Sequence, residues 1–272
     1  MRLGLERGRM MQIVNVKALG HLFALIASFL VSGCVTGVTA NGDYDGFNVQ
    51  SLSLAKNIEQ LQSENGEAIT QFNIEPCCTT EIDCVQNSVR AELVEDVYTR
   101  KIYGRGQPEK AWYGWEIYLP ADFPNSTQQG NGMYLLGQWH NAACPNLSVV
   151  NRVDENSVGF YLQRWLGGYD CEDAAFVPLV SLSQMRGKWT RFEFEIFWDD
   201  DEGFVNAYVN GVLRGSYTGR TLVAGFEDKL NNFRYGIYLC CTADSTKVIP
   251  TYARYRRVSR SFSRDELLVN AN

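Results

Sequence analysis

Apolar and charged side chains alternate along residues 189–198. In an extended backbone Phe192, Phe194 and Ile196 occupy one side, and an arginine and two glutamates occupy the other. Successive side chains of a β-strand point to opposite faces, so this pattern predicts a strand with one buried and one solvated face. A chain built from such segments must pack its apolar faces against a second layer.

The same period of two recurs through most of the chain. Asn210-Gly211 separates two such segments and predicts a tight hairpin turn, and long stretches with helical periodicity are missing. The predicted strands cover residues 69–74, 88–97, 112–120, 133–140, 157–165, 189–198, 204–209, 212–217, 234–240 and 251–261. We therefore expect an all-β fold, a single antiparallel β-sandwich or jelly roll.

The N-terminal residues have the features of an export signal. Basic residues precede an apolar stretch at 19–30, which is short for a transmembrane helix, and Val31-Ser32-Gly33-Cys34 follows. Small residues before a cysteine resemble the lipobox of bacterial lipoproteins, in which the cysteine is acylated and becomes the mature N-terminus. We expect a lipoprotein-type signal peptide at 1–33 with lipid attachment at Cys34, so that the protein is anchored to the cell envelope or outer membrane, or secreted. A single uncleaved anchor is the alternative.

The rest of the chain divides by composition and carries a clear charge. Residues 34–66 are rich in Gly, Ser, Asn and Thr and predict a tether, with a short helix over 52–61 as an option, while 67–272 are expected to form the β domain. The net charge is −6, and it becomes about −9 without residues 1–33, which hold four basic residues and one acidic residue. Such a chain is not a general nucleic-acid or anionic-membrane binder, and an anionic ligand must meet a local basic patch.

Seven cysteines follow Cys34, and in an exported chain we expect them to form disulfides. They are Cys77, Cys78, Cys84, Cys144, Cys171, Cys240 and Cys241. A bond between Cys144 and Cys171 is reasonable because these two bracket a hairpin-like segment, and the odd number leaves one cysteine free or intermolecular. A metal site is the weaker alternative, because no CxxC pair occurs.

Two charged stretches each allow two interpretations. The acidic run at 199–202 lies at a predicted hairpin and is expected to be a solvated turn, with a peripheral calcium ion as the alternative. The tail concentrates five arginines, which could bind carboxylates or sulfates or could belong to a solvated edge strand. They are Arg254, Arg256, Arg257, Arg260 and Arg264, of which Arg257 is expected on the face opposite to Arg254 and Arg256.

Two strands carry groups suited to catalysis. Gln138 and His140 share one face of their predicted strand, and Trp139 points to the other. A single imidazole there could transfer protons, and the alternative is a satisfied histidine beside a packing tryptophan.

Arg234, Gly236 and Tyr238 share a face of the strand at 234–240. We expect Gly236 to leave that face open, so that a ligand can approach between the cation and the phenol. The alternative is a tyrosine in an ordinary surface row.

Five short motifs occur in the order seen in heparin lyase I-like and glucuronan lyase-like polysaccharide lyases. They are Tyr113-Gly114-Trp115-Glu116-Ile117-Tyr118-Leu119-Pro120, Leu136-Gly137-Gln138-Trp139-His140, Gly187-Lys188-Trp189-Thr190, Gly203 to Gly211, and Tyr235-Gly236-Ile237-Tyr238. The chain resembles this family over residues 69–262. The resemblance implies a concanavalin-like β-jelly roll with a concave substrate groove, and an enzyme that cleaves uronic-acid-containing polysaccharides by β-elimination.

The resemblance also assigns roles to residues. His140 and Tyr238 match the family's catalytic pair, with Tyr238 donating to the leaving oxygen and either His140 or Tyr238 taking the C5 proton. Arg234 falls where the heparin lyases carry a lysine, which keeps the positive charge and changes its shape. The residues expected to bind substrate are Gln138, Arg90, Arg234 and Trp139.

The expected partner is an anionic polysaccharide, such as glucuronan, alginate or a glycosaminoglycan-like chain, bound by a monomer without nucleic acid. No cofactor is certain, and a structural calcium ion is an option. A non-catalytic carbohydrate-binding sandwich is the first alternative, with Trp112, Trp139, Trp165 and Trp189 as stacking platforms. A glycoside hydrolase is the second, but Glu193 and Glu195 share a face without the third carboxylate that such a strand would carry.

Overall fold

The structure is a computed structural model that describes residues 47–49, 57–76, 83, 86–95, 110–140, 145–152, 157–167, 170–222 and 231–269. These residues all belong to the second of two compact units, which begins at Val35, so the predicted signal peptide and Cys34 lie outside the described residues. Among the described helices, none is long and apolar enough to cross a membrane.

The described residues form fourteen strands and little helix. In chain order the strands are β1 (Phe47–Val49), β2 (Ile58–Gln62), β3 (Ala68–Ile74), β4 (Val89–Glu95), β5 (Lys110–Tyr118), β6 (Met133–His140), β7 (Pro145–Arg152), β8 (Ser157–Gly167), β9 (Asp170–Ser181), β10 (Trp189–Phe197), β11 (Phe204–Val209), β12 (Val212–Thr218), β13 (Asn232–Cys240) and β14 (Thr251–Ser261). The helices are α1 (Leu182–Met185), α2 (Arg264–Val269) and a 3-10 turn at Ser245–Lys247.

The strands form two seven-stranded sheets. Sheet A has the order β1-β4-β13-β6-β7-β8-β9, and sheet B has the order β12-β11-β10-β5-β14-β3-β2. The register is antiparallel between neighbours throughout the described strands. The prediction of an all-β antiparallel sandwich of jelly-roll type is therefore confirmed.

Aromatic side chains fill the space between the sheets. Trp115 of sheet B stacks on Phe194 with ring centroids 5.3 Å apart, and Trp139 of sheet A lies 5.0 Å from Phe233. All four side chains are buried, and large buried rings of this kind contribute much of the hydrophobic stabilisation of a sandwich. The apolar side of the alternation at 189–198 is the side that faces this core.

The expected tether at 34–66 is partly wrong, because two of its segments are strands. β1 pairs with β4, and β2 pairs with β3 at the edge of sheet B. The helix considered over 52–61 is wrong for residues 58–61, which lie in β2. A short, largely polar edge strand has a weak sequence signal because only one of its sides contacts the rest of the sheet.

Strands β7 and β9 were not predicted. β9 contains Pro178, which removes a backbone donor and disfavours a central strand. In the structure β9 is the last strand of sheet A, where proline is tolerated. The Asn210-Gly211 turn is confirmed, with positive φ angles of 50° and 79° that suit a type I′ hairpin.

Candidate active site

Three neighbouring strands of sheet A place the proposed site residues on its outer face. The register sets Arg234 of β13 opposite Gln138 of β6, and Tyr238 of β13 opposite Arg90 of β4. His140 lies at the end of β6, two residues beyond Gln138 on the same face. Along the strand direction the face therefore presents His140, then the Arg234–Gln138 pair, and then Tyr238 beside Arg90.

An irregularity in β13 separates Arg234 from Tyr238. The register against β6 shifts between these two residues, and Gly236 has a φ of 132°. A Cβ at Gly236 would overlap the carbonyl oxygen of Ala91 and lie 2.9 Å from the Cα of Glu92. The expectation that Gly236 opens the face to a ligand is therefore wrong, because the backbone of β4 fills that space and requires the glycine.

Glu92 is a site residue that sequence reasoning did not assign. Its buried carboxylate accepts a hydrogen bond from Nε2 of Gln138 at 2.6 Å and lies 3.6 Å from Nη1 of Arg90. Burial raises the pKa of Glu92, and the positive charges of Arg90 and Arg234 oppose that shift. Its position two residues after Arg90 on the same strand face was the available signal.

Arg90 is held by acidic partners on one side and by an aromatic ring on the other. Its Nε and Nη2 donate to Asp83 at 2.7 and 3.0 Å, and its guanidinium carbon lies 4.0 Å from the ring centroid of Tyr238. Burial lowers the pKa of Arg90, but the charges of Glu92 and Asp83 outweigh burial and leave it raised. Because Asp83 holds the guanidinium of Arg90 in place, this group is suited to fixing the orientation of the Tyr238 ring. It is less suited to moving with a bound ligand.

Arg234 projects from β13 next to Gln138 and is oriented by its own strand. Its Nε donates to Oδ1 of Asn232 at 2.7 Å. Burial lowers the pKa of this guanidinium, Arg90 adds to the effect and Glu92 counteracts it. A partly desolvated cation of this kind attracts an anionic ligand group strongly.

His140 is partly exposed and uncharged. Burial, followed by the positive charges of Arg234 and Arg90, lowers the pKa of its imidazole to about 3. Neither His140 nor Tyr238 has a side-chain hydrogen-bond partner among the described residues. The alternative of a satisfied structural histidine is thus not supported, and both groups are available to a ligand.

Trp139 does not belong to the site. Its side chain is fully buried between the sheets, 5.1 Å from the ring of Tyr113. The expectation that Trp139 binds substrate is wrong, because strand alternation turns it away from Gln138 and His140 and into the core.

A small apolar cluster borders the site beyond Tyr238. Leu135, Val150 and Tyr161 pack on the outer face of sheet A, with Tyr238 against them. Tyr161 and Phe176 lie 4.9 Å apart. The face is therefore polar and cationic at the His140 end and apolar at the other.

The arginine tail is mostly neutralised on sheet B. Arg256 and Arg257 both contact Glu67 and Glu116, at distances of 2.6 to 3.0 Å. Arg257 was expected on the opposite face from Arg256, and this is wrong because a shift in register after Arg256 and a φ of 53° at Arg257 bring the two together. Arg264 pairs with Glu193 at 2.7 Å.

The described residues contain no group of three or more His, Cys, Asp or Glu side chains that could hold a metal ion. In the acidic run, Oδ1 of Asp199 accepts from the backbone N–H groups of Asp201 and Glu202, as in an ordinary turn.

Cys240 and Cys241 form a disulfide with each other. The suggested bond between Cys144 and Cys171 falls outside the described side chains.

Comparison with solved structures identifies alginate lyases as fold neighbours. A tyrosine-to-phenylalanine variant of the family 7 alginate lyase A1-II′ in complex with a product has a TM-score of 0.52 at 14% identity, covering 75% of this chain and 83% of that one. The alginate lyase from Klebsiella pneumoniae has a TM-score of 0.50 at 12% identity, with coverages of 76% and 85%. A variant of alginate lyase Aly36B in complex with an alginate trisaccharide has a TM-score of 0.51 at 10% identity, with coverages of 82% and 90%.

These identities establish a shared fold only. No curated protein sequence matches the chain. The model of the family described as polysaccharide lyase matches residues 40–252, which is most of the chain and includes every described residue of the site. The resemblance seen in the sequence motifs is therefore confirmed at the level of the family, and the chain belongs to the polysaccharide lyase family.

Proposed function

We propose that this protein cleaves a uronic-acid-containing polysaccharide by β-elimination on the outer face of sheet A. The observation that carries the proposal is that an uncharged histidine and a tyrosine, whose side chains form no hydrogen bond with the described residues, flank a partly buried arginine on one face. Membership of the polysaccharide lyase family supports the reaction class. The fold neighbours act on alginate, as their names state, which supports a polyuronate as the substrate class.

The chemistry sets the requirements for such a site. A base removes the C5 proton, the C5–H electron pair becomes the C4–C5 double bond, and the C4–O bond breaks as the leaving oxygen takes a proton. Negative charge moves onto the uronate carboxylate in the transition state, so groups that stabilise this charge lower the barrier.

We assign the binding of the substrate's uronate carboxylate to Arg234 and Gln138. They lie opposite each other between His140 and Tyr238, and Arg234 supplies the positive charge. The buried Glu92 accepts one hydrogen bond from the Gln138 amide and so sets its orientation. An arginine here presents a planar fork that matches a carboxylate better than a lysine does.

We assign proton transfer mainly to Tyr238. A group with a pKa of about 3, as His140 has, is a weak base for a carbon acid at neutral pH. A neutral imidazole can instead donate a hydrogen bond to the carboxylate or the sugar. Tyr238 is positioned by the guanidinium of Arg90, so we regard Arg90 as a positioning residue.

The two alternative functions find less support. Of the four tryptophans expected as stacking platforms, Trp139 is buried and Trp112 is 7% exposed. Trp189 on sheet B is partly exposed, and the side chain of Trp165 lies outside the described ones. The hydrolase alternative needs carboxylates available to a glycosidic bond, whereas Glu193 is engaged by Arg191 and Arg264, and Glu195 pairs with Lys110.

The test is a panel of glucuronan, alginate, heparin and heparan sulfate, with the ultraviolet absorbance of the new C4–C5 double bond as the readout. We expect absorbance to rise with at least one polyuronate and Tyr238→Phe to lose at least about a hundredfold in kcat while still binding the polymer. Tyr217→Phe, in β12 of sheet B, is the matched control and should retain full activity.

Three outcomes would contradict the proposal. New reducing ends without absorbance would indicate a hydrolase, and retention on polymer without cleavage would indicate a binding module. Full activity of Tyr238→Phe would remove the proposed role of this residue.

We also propose that the mature protein is exported, with Cys34 as the site of lipid attachment. The support is the sequence of residues 19–34. Loss of membrane fractionation in Cys34→Ala would be expected. A structural calcium ion stays a prediction, which a thermal shift with and without chelator would test.

A further inference from the structure

A row of side chains crosses the outer face of sheet B, on the other side of the sandwich from the candidate active site. The register aligns the row across five neighbouring strands. Its members are Glu59, Gln71, Arg254, Tyr118 and Trp189. Tyr252, two residues before Arg254, flanks it on the same face. We call the four residues Arg254, Tyr118, Trp189 and Tyr252 the Arg254 row.

Arg254 carries a charge that no described carboxylate neutralises. Its Nε donates to Oε1 of Gln71 at 2.8 Å, and among the residues that the structure describes no carboxylate lies within ion-pair distance. The next arginine on this face behaves differently, because Arg256 contacts both Glu67 and Glu116 at 2.7 Å. Arg254 is partly exposed, so this charge can meet a ligand from solution.

Aromatic rings surround this charge. The guanidinium carbon of Arg254 lies 4.9 Å from the ring centroid of Tyr252 and 5.9 Å from that of Tyr118. The rings of Tyr118 and Trp189 are 5.7 Å apart, and all three aromatic residues are partly exposed. Arg256 covers one side of Trp189 and holds that ring in place.

This combination matches an acidic sugar. The guanidinium fork binds a carboxylate through two parallel hydrogen bonds, and partly exposed rings offer apolar faces to the C–H groups of a pyranose. A neutral sugar would leave the arginine unpaired, and a peptide carboxylate would leave the rings without a matching surface. An anionic polysaccharide supplies both features in every repeat.

We propose that the Arg254 row is a second polysaccharide-binding site, which takes a uronate residue and keeps the polymer on the protein while the face of sheet A cleaves it. The polymer class in this inference rests on the proposed function. Because the two sites lie on opposite faces, the second site acts by raising the local concentration of substrate rather than by contacting the scissile bond.

The experiment measures retention of the full chain in native gels that contain alginate or glucuronan, in the Tyr238→Phe background so that the polymer stays intact. We expect Arg254→Gln to weaken retention on the order of tenfold, the loss of one charge-assisted contact. Arg214→Gln makes the same charge change on exposed strand β12 and should leave retention unchanged. Equal retention of the two variants would overturn the inference.

Two further arms separate carboxylate recognition from general charge and from catalysis. Gels with dextran sulfate test for sulfate, and an effect of Arg254→Gln there but not with a polyuronate would overturn the uronate assignment. With Tyr238 intact, Arg254→Gln should raise KM for polymer and leave kcat and the cleavage of a short oligosaccharide unchanged.

The failure of this inference differs from the failure of the proposed function. If the protein cleaves a polyuronate and the variants Arg254→Gln and Arg214→Gln behave identically, the second site is rejected and the proposed function stands. Retention that depends on Arg254, without cleavage of any polyuronate, supports the second site and removes the elimination reaction.

Discussion

His140 illustrates how neighbours decide the chemistry of a single side chain. Its position on one strand face with Gln138 was readable from the alternation at 133–140. Its charge state was not, because the groups that control it, Arg234 and Arg90, arrive from two other strands. Burial together with these charges produces a neutral imidazole where an isolated histidine would titrate near neutral pH.

The lowered pKa of His140 predicts how stability depends on pH. In the folded protein the imidazole of His140 takes up this proton with a pKa of about 3, whereas in the unfolded chain it does so near its ordinary pKa of 6.5. The contribution to stability is therefore complete above about pH 6.5 and is lost as the pH falls towards 3. The melting temperature of wild type should drop relative to His140→Gln between about pH 7 and about pH 4.5.

The control for this pH series is the same pair of proteins at pH 7 and above, where their difference should stay constant. A parallel fall of both melting temperatures through the acidic range would show that His140 titrates normally. The same low pKa means that an acidic limb of kcat/KM near neutral pH does not belong to His140 in the free enzyme.

Strand β13 shows how one irregular element assembles the site. Between Arg234 and Tyr238 the pairing with β6 shifts, and the buried hydroxyl of Tyr255 lies 2.9 and 2.7 Å from the carbonyl oxygens of Leu136 and Gly236. The single hydrogen of this hydroxyl is donated towards these two carbonyl oxygens, which a regular ladder would otherwise use as acceptors. The irregularity therefore sets the spacing between the cation and the phenol, and sheet B helps to hold it.

Gly236→Ala tests this element. A methyl group there would overlap the backbone of β4 and would also be strained by a φ of 132°, so we expect a loss on the order of 3 kcal/mol or more in the free energy of unfolding. Gly66→Ala is the matched control, since Gly66 has a φ of 79° with open space around its Cα, and its cost should be on the order of 1 kcal/mol. Urea denaturation measures both, and equal costs would contradict the close approach of β4.

A buried ion pair joins the two sheets at one end of the sandwich. Nη1 of Arg260 in β14 lies 3.0 Å from Oε2 of Glu95 in β4, with side-chain exposures of 5% and 1%. Arg260 faces inward because the shift in register after Arg256 reverses the alternation of β14. The pair contacts the same core that holds Tyr113, whose pKa burial raises to about 12.

Breaking this pair should destabilise the fold strongly. Glu95→Gln removes the carboxylate that pairs with the buried guanidinium of Arg260, and the expected cost in the free energy of unfolding is about 3 to 5 kcal/mol. The double variant Glu95→Leu with Arg260→Met should recover most of that loss, because it removes both charges together. The control is Asp244→Asn, which changes the exposed pair with Lys247 and should shift the denaturation midpoint little. An equally small shift for Glu95→Gln would contradict the burial of the Arg260–Glu95 pair.

Local patterns in the chain were enough to predict the class of fold, most central strands, the Asn210-Gly211 turn and the faces of Gln138 and His140, because side-chain alternation and turn chemistry act over a few residues. Motif order was enough to predict the polysaccharide lyase family. The closed space at Gly236, the place of Glu92 under Gln138, the neutral state of His140 and the reversal of faces at Arg257 depended on contacts between distant strands. Register shifts and desolvation arise only when two sheets pack together, so no local pattern carries them.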